Sequence, residues 1–153
     1  MYEHILIPTD GSDVAELAVE HALDLAERYD AEVHALYVVD IDSVNLGLGT
    51  EKVDRLKQGR FDEMEELKSK ANEATGVVAA RGAERDVNVI EHVAGGRPHT
   101  VIADYADDHG MDLIVMGSHG RAGVRRALLG SVTERTLRST HVPVLVVDYL
   151  DED

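Results

Sequence analysis

Cysteine is absent from the 153 residues. That removes a disulfide framework, a cysteine metal site and a thiol nucleophile together. Tryptophan is absent too, phenylalanine occurs once, and lysine occurs four times against eleven arginines. No apolar run approaches the roughly 20 residues that a membrane-spanning helix needs. The start, Met1-Tyr2-Glu3-His4, lacks the basic opening and long apolar stretch of a signal peptide, so a cytoplasmic protein is expected. Positive charge is scarce: 15 Lys and Arg stand against 30 Asp and Glu, a formal net charge of −15. Phosphate repulsion makes nucleic acid a poor partner for such a chain. An acidic, lysine-poor composition suits a salt-rich cytoplasm, where screening removes self-repulsion; an ordinary acidic bacterial or archaeal protein is the plainer alternative. The length suits one domain over residues 1–153, with a core to match, since folding at this size buries roughly 68–70% of the extended chain's surface.

Several catalytic signatures are missing as well. There is no GxxxxGK[ST] loop for a Walker-type NTPase, and no GxGxxG after the first apolar run for a nicotinamide dehydrogenase. No GxSxG elbow occurs. The eight histidines show neither HExxH nor another paired-ligand spacing, so a zinc site built by the protein is not expected. A response-regulator receiver would want an aspartate closing its third strand, where this chain reads Val93-Ala94-Gly95.

What is present alternates regularly. Glu3 to Pro8 reads as a short buried strand, and Thr9-Asp10-Gly11-Ser12 as a turn whose serine caps a helix. Val14, Leu17, Ala18, His21, Ala22 and Leu25 follow helical spacing to about Arg28, which makes His21 a packed histidine; Asp13, Glu16, Glu20, Asp24 and Glu27 form a solvated acidic counterface. Glu32 to Asp40 is the second strand, and Ile41 to Thr50 a glycine-bearing connection. Glu51 to about Arg81 is a long helix, weakened at Gly59 and Gly76, whose mixed charges read as a solvated face. Val87 to Val93 alternates like a strand, and Gly95-Gly96-Arg97-Pro98 is a turn. Pro98 suits the first turn of the next helix, which Gly110 ends. Leu113 to Met116 is a fourth strand, a helix begins near Ser131, and Pro143 to Asp148 is the last strand before an acidic tail.

Strand–helix alternation of this kind predicts an α/β fold, a parallel sheet covered on both faces with right-handed crossovers. If the five strands are doubly wound in the order 3-2-1-4-5, the switch point falls between the first and fourth. Ligands bind outside the carboxyl ends of the strands at such a point. The first strand ends at Pro8-Thr9-Asp10 and the fourth at Gly117, so two separate residue clusters are predicted to converge on one crevice.

The stretch from Leu113 to Leu137 carries the sharpest signal. An apolar strand drops into Gly117-Ser118-His119-Gly120, and Gly130-Ser131 then opens a helix. Ser131 with Glu134 fits a capping box. Glycines admit close backbone approach, and a helix N-terminus favours an anion, so the stretch reads as a phosphate cradle. From Leu113 to Val147 five arginines (121, 125, 126, 135 and 138) face one acid, Glu134, a net +4 in an acidic chain. A bare glycine-rich turn with solvated arginines is the competing reading. Gly117, His119, Gly120, Gly130 and Ser131 are the phosphate candidates, extended by the backbone N–H groups near Val132 and Thr133. Asp10 has three readings: acceptor for ribose hydroxyls, Mg²⁺ ligand, or turn aspartate.

Gly117-x2-Gly120-x9-Gly130-Ser131 resembles the nucleotide motif of the universal stress protein family, all four positions matching without a gap. The resemblance covers essentially the whole chain and implies a single Rossmann-like domain with strand order 3-2-1-4-5. It also implies the ATP-binding branch: a regulatory or stress-response module that binds ATP with Mg²⁺ or Mn²⁺. The alternatives are a slow ATPase and an interaction protein of the same fold without nucleotide. By the same resemblance Asp10 lies at the ribose and adenine end, flanked by Pro8 and Thr9, while Val38 matches an adenine-contacting valine. Met116 ends the strand beside the cradle, and Arg121 is similar in position to a common Lys or Arg. The last strand, Val144-Leu145-Val146-Val147, reads as an apolar sheet edge that invites pairing, and the resemblance implies a homodimer through it.

Overall fold

The structure, a computed structural model, describes residues 1–40, 60–119 and 129–148, with the backbone alone described for 60–64. The Ile41–Thr50 connection, the expected helical segment from Glu51 to Gly59 and the tail lie outside these residues.

β1 (His4–Pro8) and β2 (Glu32–Asp40) flank α1 (Asp13–Tyr29) in sequence. α2 (Arg60–Glu84), β3 (Val89–Gly96), α3 (Pro98–Asp108), β4 (Leu113–Gly117), α4 (Ser131–Ser139) and β5 (Val144–Val147) follow. The strands form one sheet in the order β3-β2-β1-β4-β5, and every pairing is parallel. The doubly wound α/β expectation therefore holds, with the reversal of strand order between β1 and β4.

Alternation along the central strands builds a core on each face. Ile5, Ile7, Val33, Ala35, Leu113 and Val115 pack with Ala18, Val19, Ala22 and Leu23 of α1 and Val78 of α2. Leu6, Leu36, Ile114 and Met116 pack on the other face with Ile102, Tyr105 and Ala106 of α3. Ser12 caps α1 as expected, its hydroxyl accepting from the Ala15 amide at 3.3 Å.

Four details differ from the sequence reading. The buried stripe of α1 flanks the Ala18–Ala22 line through Ala15, Val19, Leu23 and Ala26, leaving Leu17 and His21 exposed. Small residues along that line let the helix lie close to the sheet, and the larger Val19 and Leu23 fill the side the core offers. α2 continues beyond Arg81 to Glu84. β3 begins at Val89 and runs to Gly96, because β2 extends to Asp40 and supplies ladder partners for Gly95 and Gly96. Finally, α2 does not carry a merely solvated face. Arg81 of α2 reaches Glu20 at 2.9 Å, and Arg85, one residue past the helix end, reaches Glu27 at 2.9 Å and Asp24 at 3.4 Å, so two arginines bridge to the acidic side of α1.

Candidate functional site

The carboxyl ends of β1, β2 and β4 open into a crevice of about 510 Å³. β1 contributes Pro8 and is followed by Thr9 and Asp10; β2 contributes Leu36 to Asp40, Val38 among them; β4 contributes Met116 and Gly117, followed by His119. α4 closes one side with Gly130, Ser131, Val132 and Thr133, while Leu67 of α2 and Pro98 and Ile102 of α3 complete the walls. The structure thus brings together eleven of the thirteen residues singled out in the sequence. Gly120 and Arg121 lie outside the described residues. Sequence reading missed Ala15, Leu36, Tyr37, Val39, Asp40, Leu67, Pro98 and Ile102 as lining residues. The alignment of the β2 end and the α3 start with one crevice is the signal that could have found most of them.

Local chemistry fixes the turn after β1. The Thr9 amide donates to the Leu36 carbonyl at 2.9 Å, tying this turn to β2. The Thr9 hydroxyl accepts from the Gly11 amide at 3.2 Å, and Asp10 Oδ1 accepts from the Ser12 amide at 3.0 Å. Asp10 therefore makes the Asx turn expected of an Asp-Gly-Ser sequence while lying in the crevice wall.

The start of α4 departs from the expected capping box. Gly130, not Ser131, is the N-cap, and no side chain caps the helix. The first intrahelical bond runs from the Glu134 amide to the Gly130 carbonyl at 3.0 Å. The Glu134 carboxylate turns the other way, to Arg138 at 2.9 Å. A helix leaves its first N–H groups without intrahelical partners, so the amides of Ser131, Val132 and Thr133 meet the crevice with the positive end of the helix dipole.

Two close approaches hold that helix start against β4. The Gly130 amide donates to the Ser118 carbonyl at 2.7 Å, and the Thr133 hydroxyl donates to the Gly117 carbonyl at 2.8 Å. A Cβ on Gly130 would lie 3.0 Å from His119 Cα, and one on Gly117 would lie 2.9 Å from Val14 Cγ1. Gly130 is therefore set by the backbone of the loop after β4, and Gly117 by the close approach of Val14 of α1, side chain first. The Ser118 hydroxyl donates to Asp148 Oδ1 at 2.9 Å, so across the 3.1 Å contact with His119 it accepts from Nδ1–H. Ser118 is buried and its proton is committed, which makes this trio a positioning device for the His119 ring rather than a nucleophile.

The site can thus accept an anion at the α4 N-terminus beside apolar contact from Val38, Ile102, Met116 and Val132. No helix of the described residues is long and apolar enough to cross a membrane.

Comparison with known proteins agrees with this architecture. The model of the universal stress protein family matches residues 1–148. Universal stress protein MJ0531 of Methanocaldococcus jannaschii is 42% identical over 148 residues, covering 96% of this chain and 82% of its own length. The solved structure of hypothetical protein MJ0577 has a TM-score of 0.82 at 30% identity, with 99% of each chain covered. The fold is also shared with a universal stress protein solved in complex with cAMP, with a TM-score of 0.66 at 22% identity over 96% of this chain and 97% of that one. The chain belongs to the universal stress protein family.

Proposed function

We propose that this stress-response protein binds ATP in the crevice between β1 and β4 and acts as a regulatory module rather than as an enzyme. The uncapped start of α4, set against the loop after β4, carries the reading. Three consecutive backbone N–H groups at a helix N-terminus suit a phosphate chain, and the neighbouring crevice wall is apolar enough for a base. In this pose the phosphates lie at Ser131, Val132 and Thr133, the ribose near Asp10, and the adenine against Val38. Gly120 and Arg121 would extend the phosphate contacts. Asp10 and Asp40 line the crevice, and carboxylates are the hard donors that Mg²⁺ or Mn²⁺ takes, so a divalent ion accompanying the triphosphate suits these residue types.

The last strand contributes the second part of the proposal. β5 is a sheet edge with Leu145 exposed, and a homodimer would form by antiparallel pairing of the Val144–Val147 edge.

The test is to purify the full chain, extract what small molecule travels with it, and titrate nucleotide-free protein with ATP, AMP and cAMP. Saturable binding tightest for ATP, with no phosphate release above background, is the expected result. Steady phosphate release by pure protein would make it an ATPase. No affinity for any of the three would leave an interaction protein.

A further inference from the structure

A second cluster of chemistry lies at the opposite end of the same strands, where β1 and β2 begin. The parallel register sets His4 against Glu32 and Leu6 against His34. Alternate residues of a strand share a face, so His4, Glu32 and His34 all stand on the α3 side of the sheet, with Leu6 and Leu36 continuing that face into the core. Glu32 Oε1 lies 2.9 Å from His34 Nε2 and 3.8 Å from His4 Nδ1, and all three ligand atoms fall within 4.8 Å of one another. The geometry points to a divalent transition-metal site, with zinc the best match, built from His4, Glu32 and His34.

Three observations carry this. The first is spacing. Ligands about 2.0–2.2 Å from a tetrahedral zinc stand roughly 3.3–3.6 Å apart, and the two separations here bracket that range. Two imidazoles and one carboxylate are also a recurring catalytic zinc set, with the fourth position open to water; imidazole selects against Mg²⁺ and Ca²⁺. The second is an unsatisfied atom. His4 Nδ1 is buried and has no hydrogen-bond partner, Glu32 Oε1 at 3.8 Å lying beyond hydrogen-bond reach. Burying a polar atom unpaired is costly, and a metal ion at the centre of the trio would satisfy it.

The third is the set of outer contacts. Metal-bound histidines hold their second ring nitrogen on a partner that fixes ring orientation and tautomer. His34 Nδ1 lies 2.7 Å from the Tyr105 hydroxyl, whose oxygen can receive Nδ1–H and so fix the ring. The other oxygen of Glu32 is held by Asn88 Nδ2 at 3.1 Å. Asp112 Oδ2 accepts from the amides of Glu3 and His4 at 2.9 and 3.0 Å, fixing the backbone of the third ligand. Each ligand is thus positioned by a different segment: Tyr105 on α3, Asn88 just before β3 and Asp112 just before β4. The sequence concealed the trio because only Glu32 and His34 are close in the chain; His4 joins them through the β1–β2 register.

The test is a titration of untagged, nucleotide-free full-length protein with ZnCl₂ by calorimetry, and with Co²⁺ read by its visible spectrum. The expected result is one equivalent of zinc, an intense tetrahedral Co²⁺ spectrum that zinc abolishes, and no competition from Mg²⁺. His4→Ala and Glu32→Gln alter partly exposed side chains, and unchanged circular dichroism would verify their folds. Each should weaken zinc at least tenfold, while Tyr105→Phe should weaken it about 10- to 100-fold, the range for an outer partner. Asp10→Ala, in the nucleotide crevice, should leave the zinc isotherm unchanged, which separates this site from that reading. Failure to bind one equivalent, or binding of equal strength in His4→Ala and Glu32→Gln, would overturn the assignment.

Discussion

The Gly130 amide donates to the Ser118 carbonyl across 2.7 Å, and this contact places the open start of α4 at the end of β4. Fifteen residues later than Ser118, Thr133 adds a second tether from its hydroxyl to the Gly117 carbonyl. If the start of α4 is the phosphate cradle proposed above, these two contacts hold its amides against the end of β4 before the ligand arrives.

Thr133→Val tests the tether. The substitution keeps the shape and removes the donor, leaving a buried carbonyl acceptor that lost its partner. Such a loss costs about 1–3 kcal/mol. Urea unfolding should show a lower midpoint with unchanged slope, and ATP binding should weaken. Thr136 is equally buried, but its hydroxyl returns to Val132 within its own helix. Thr136→Val should therefore spare ATP affinity, and equal losses in both variants would assign the effect to general destabilisation.

Asp10 separates the ribose reading from the metal reading. Because Oδ1 already serves the Asx turn, Asp10→Asn is the informative change: it keeps that acceptor and removes the charge. A hydrogen bond to a charged group is worth about 1.5–3 kcal/mol, so the parent should prefer ATP over its 2′- or 3′-deoxy analogues by roughly 10- to 100-fold. Asp10→Asn should shrink that preference and keep the Mg²⁺ dependence. Loss of Mg²⁺ dependence with the deoxy preference intact would assign Asp10 to the metal, and a variant indistinguishable from the parent would leave it a turn residue.

Much of this was legible in the sequence, for identifiable reasons. β1, β2 and β4 are short apolar runs bounded by turn residues; alternation and handedness narrow the topologies to a few, and the family resemblance implies the order 3-2-1-4-5 that the sheet adopts. The G-x2-G-x9-G-S spacing marks the start of α4 within one residue, although Gly130 rather than Ser131 is the cap. Relationships that depend on register or on helix rotation were not legible. His21 is exposed because the core meets α1 along Val19 and Leu23. Arg81 and Arg85 find the acidic side of α1 only because α1 and α2 cover the same face of the sheet. Tyr37, Val39, Pro98 and Ile102 enter the crevice through elements distant in the chain, and nothing local distinguishes them from ordinary strand and helix residues.

The β5 edge permits a directional test of assembly. The Ile114 amide donates to the Pro143 carbonyl and the Ser118 amide to the Val147 carbonyl, both across the β4–β5 ladder. By the alternation of a parallel ladder, Leu145 also points its backbone groups at β4, while Val144 and Val146 point theirs outward. Val146→Pro should therefore keep the fold and yield a monomer in sedimentation, because proline removes an outward donor. A dimer that survives this change does not use the β5 edge.

Salt gives a further expectation. With a net charge of −15, thermal stability should rise from dilute buffer to molar KCl as self-repulsion is screened. Arg85 sits among Glu20, Asp24 and Glu27, and its hydrogen bond to Glu27 is the first cause raising its guanidinium pKa above the ordinary value. Arg85→Gln should lower Tm more in dilute buffer than in molar KCl. A melting temperature independent of salt in both proteins would contradict the salt-rich reading.

The most direct measurement is an ATP titration of ¹⁵N-labelled protein, followed at the backbone amides of Ser131, Val132 and Thr133. If the start of α4 is the phosphate cradle, these three signals shift saturably with one equivalent of ATP, shift less with adenosine, and move with the same affinity that calorimetry reports. Saturable ATP binding that leaves all three amides in place would contradict the account, because the ligand would then lie somewhere other than at this helix.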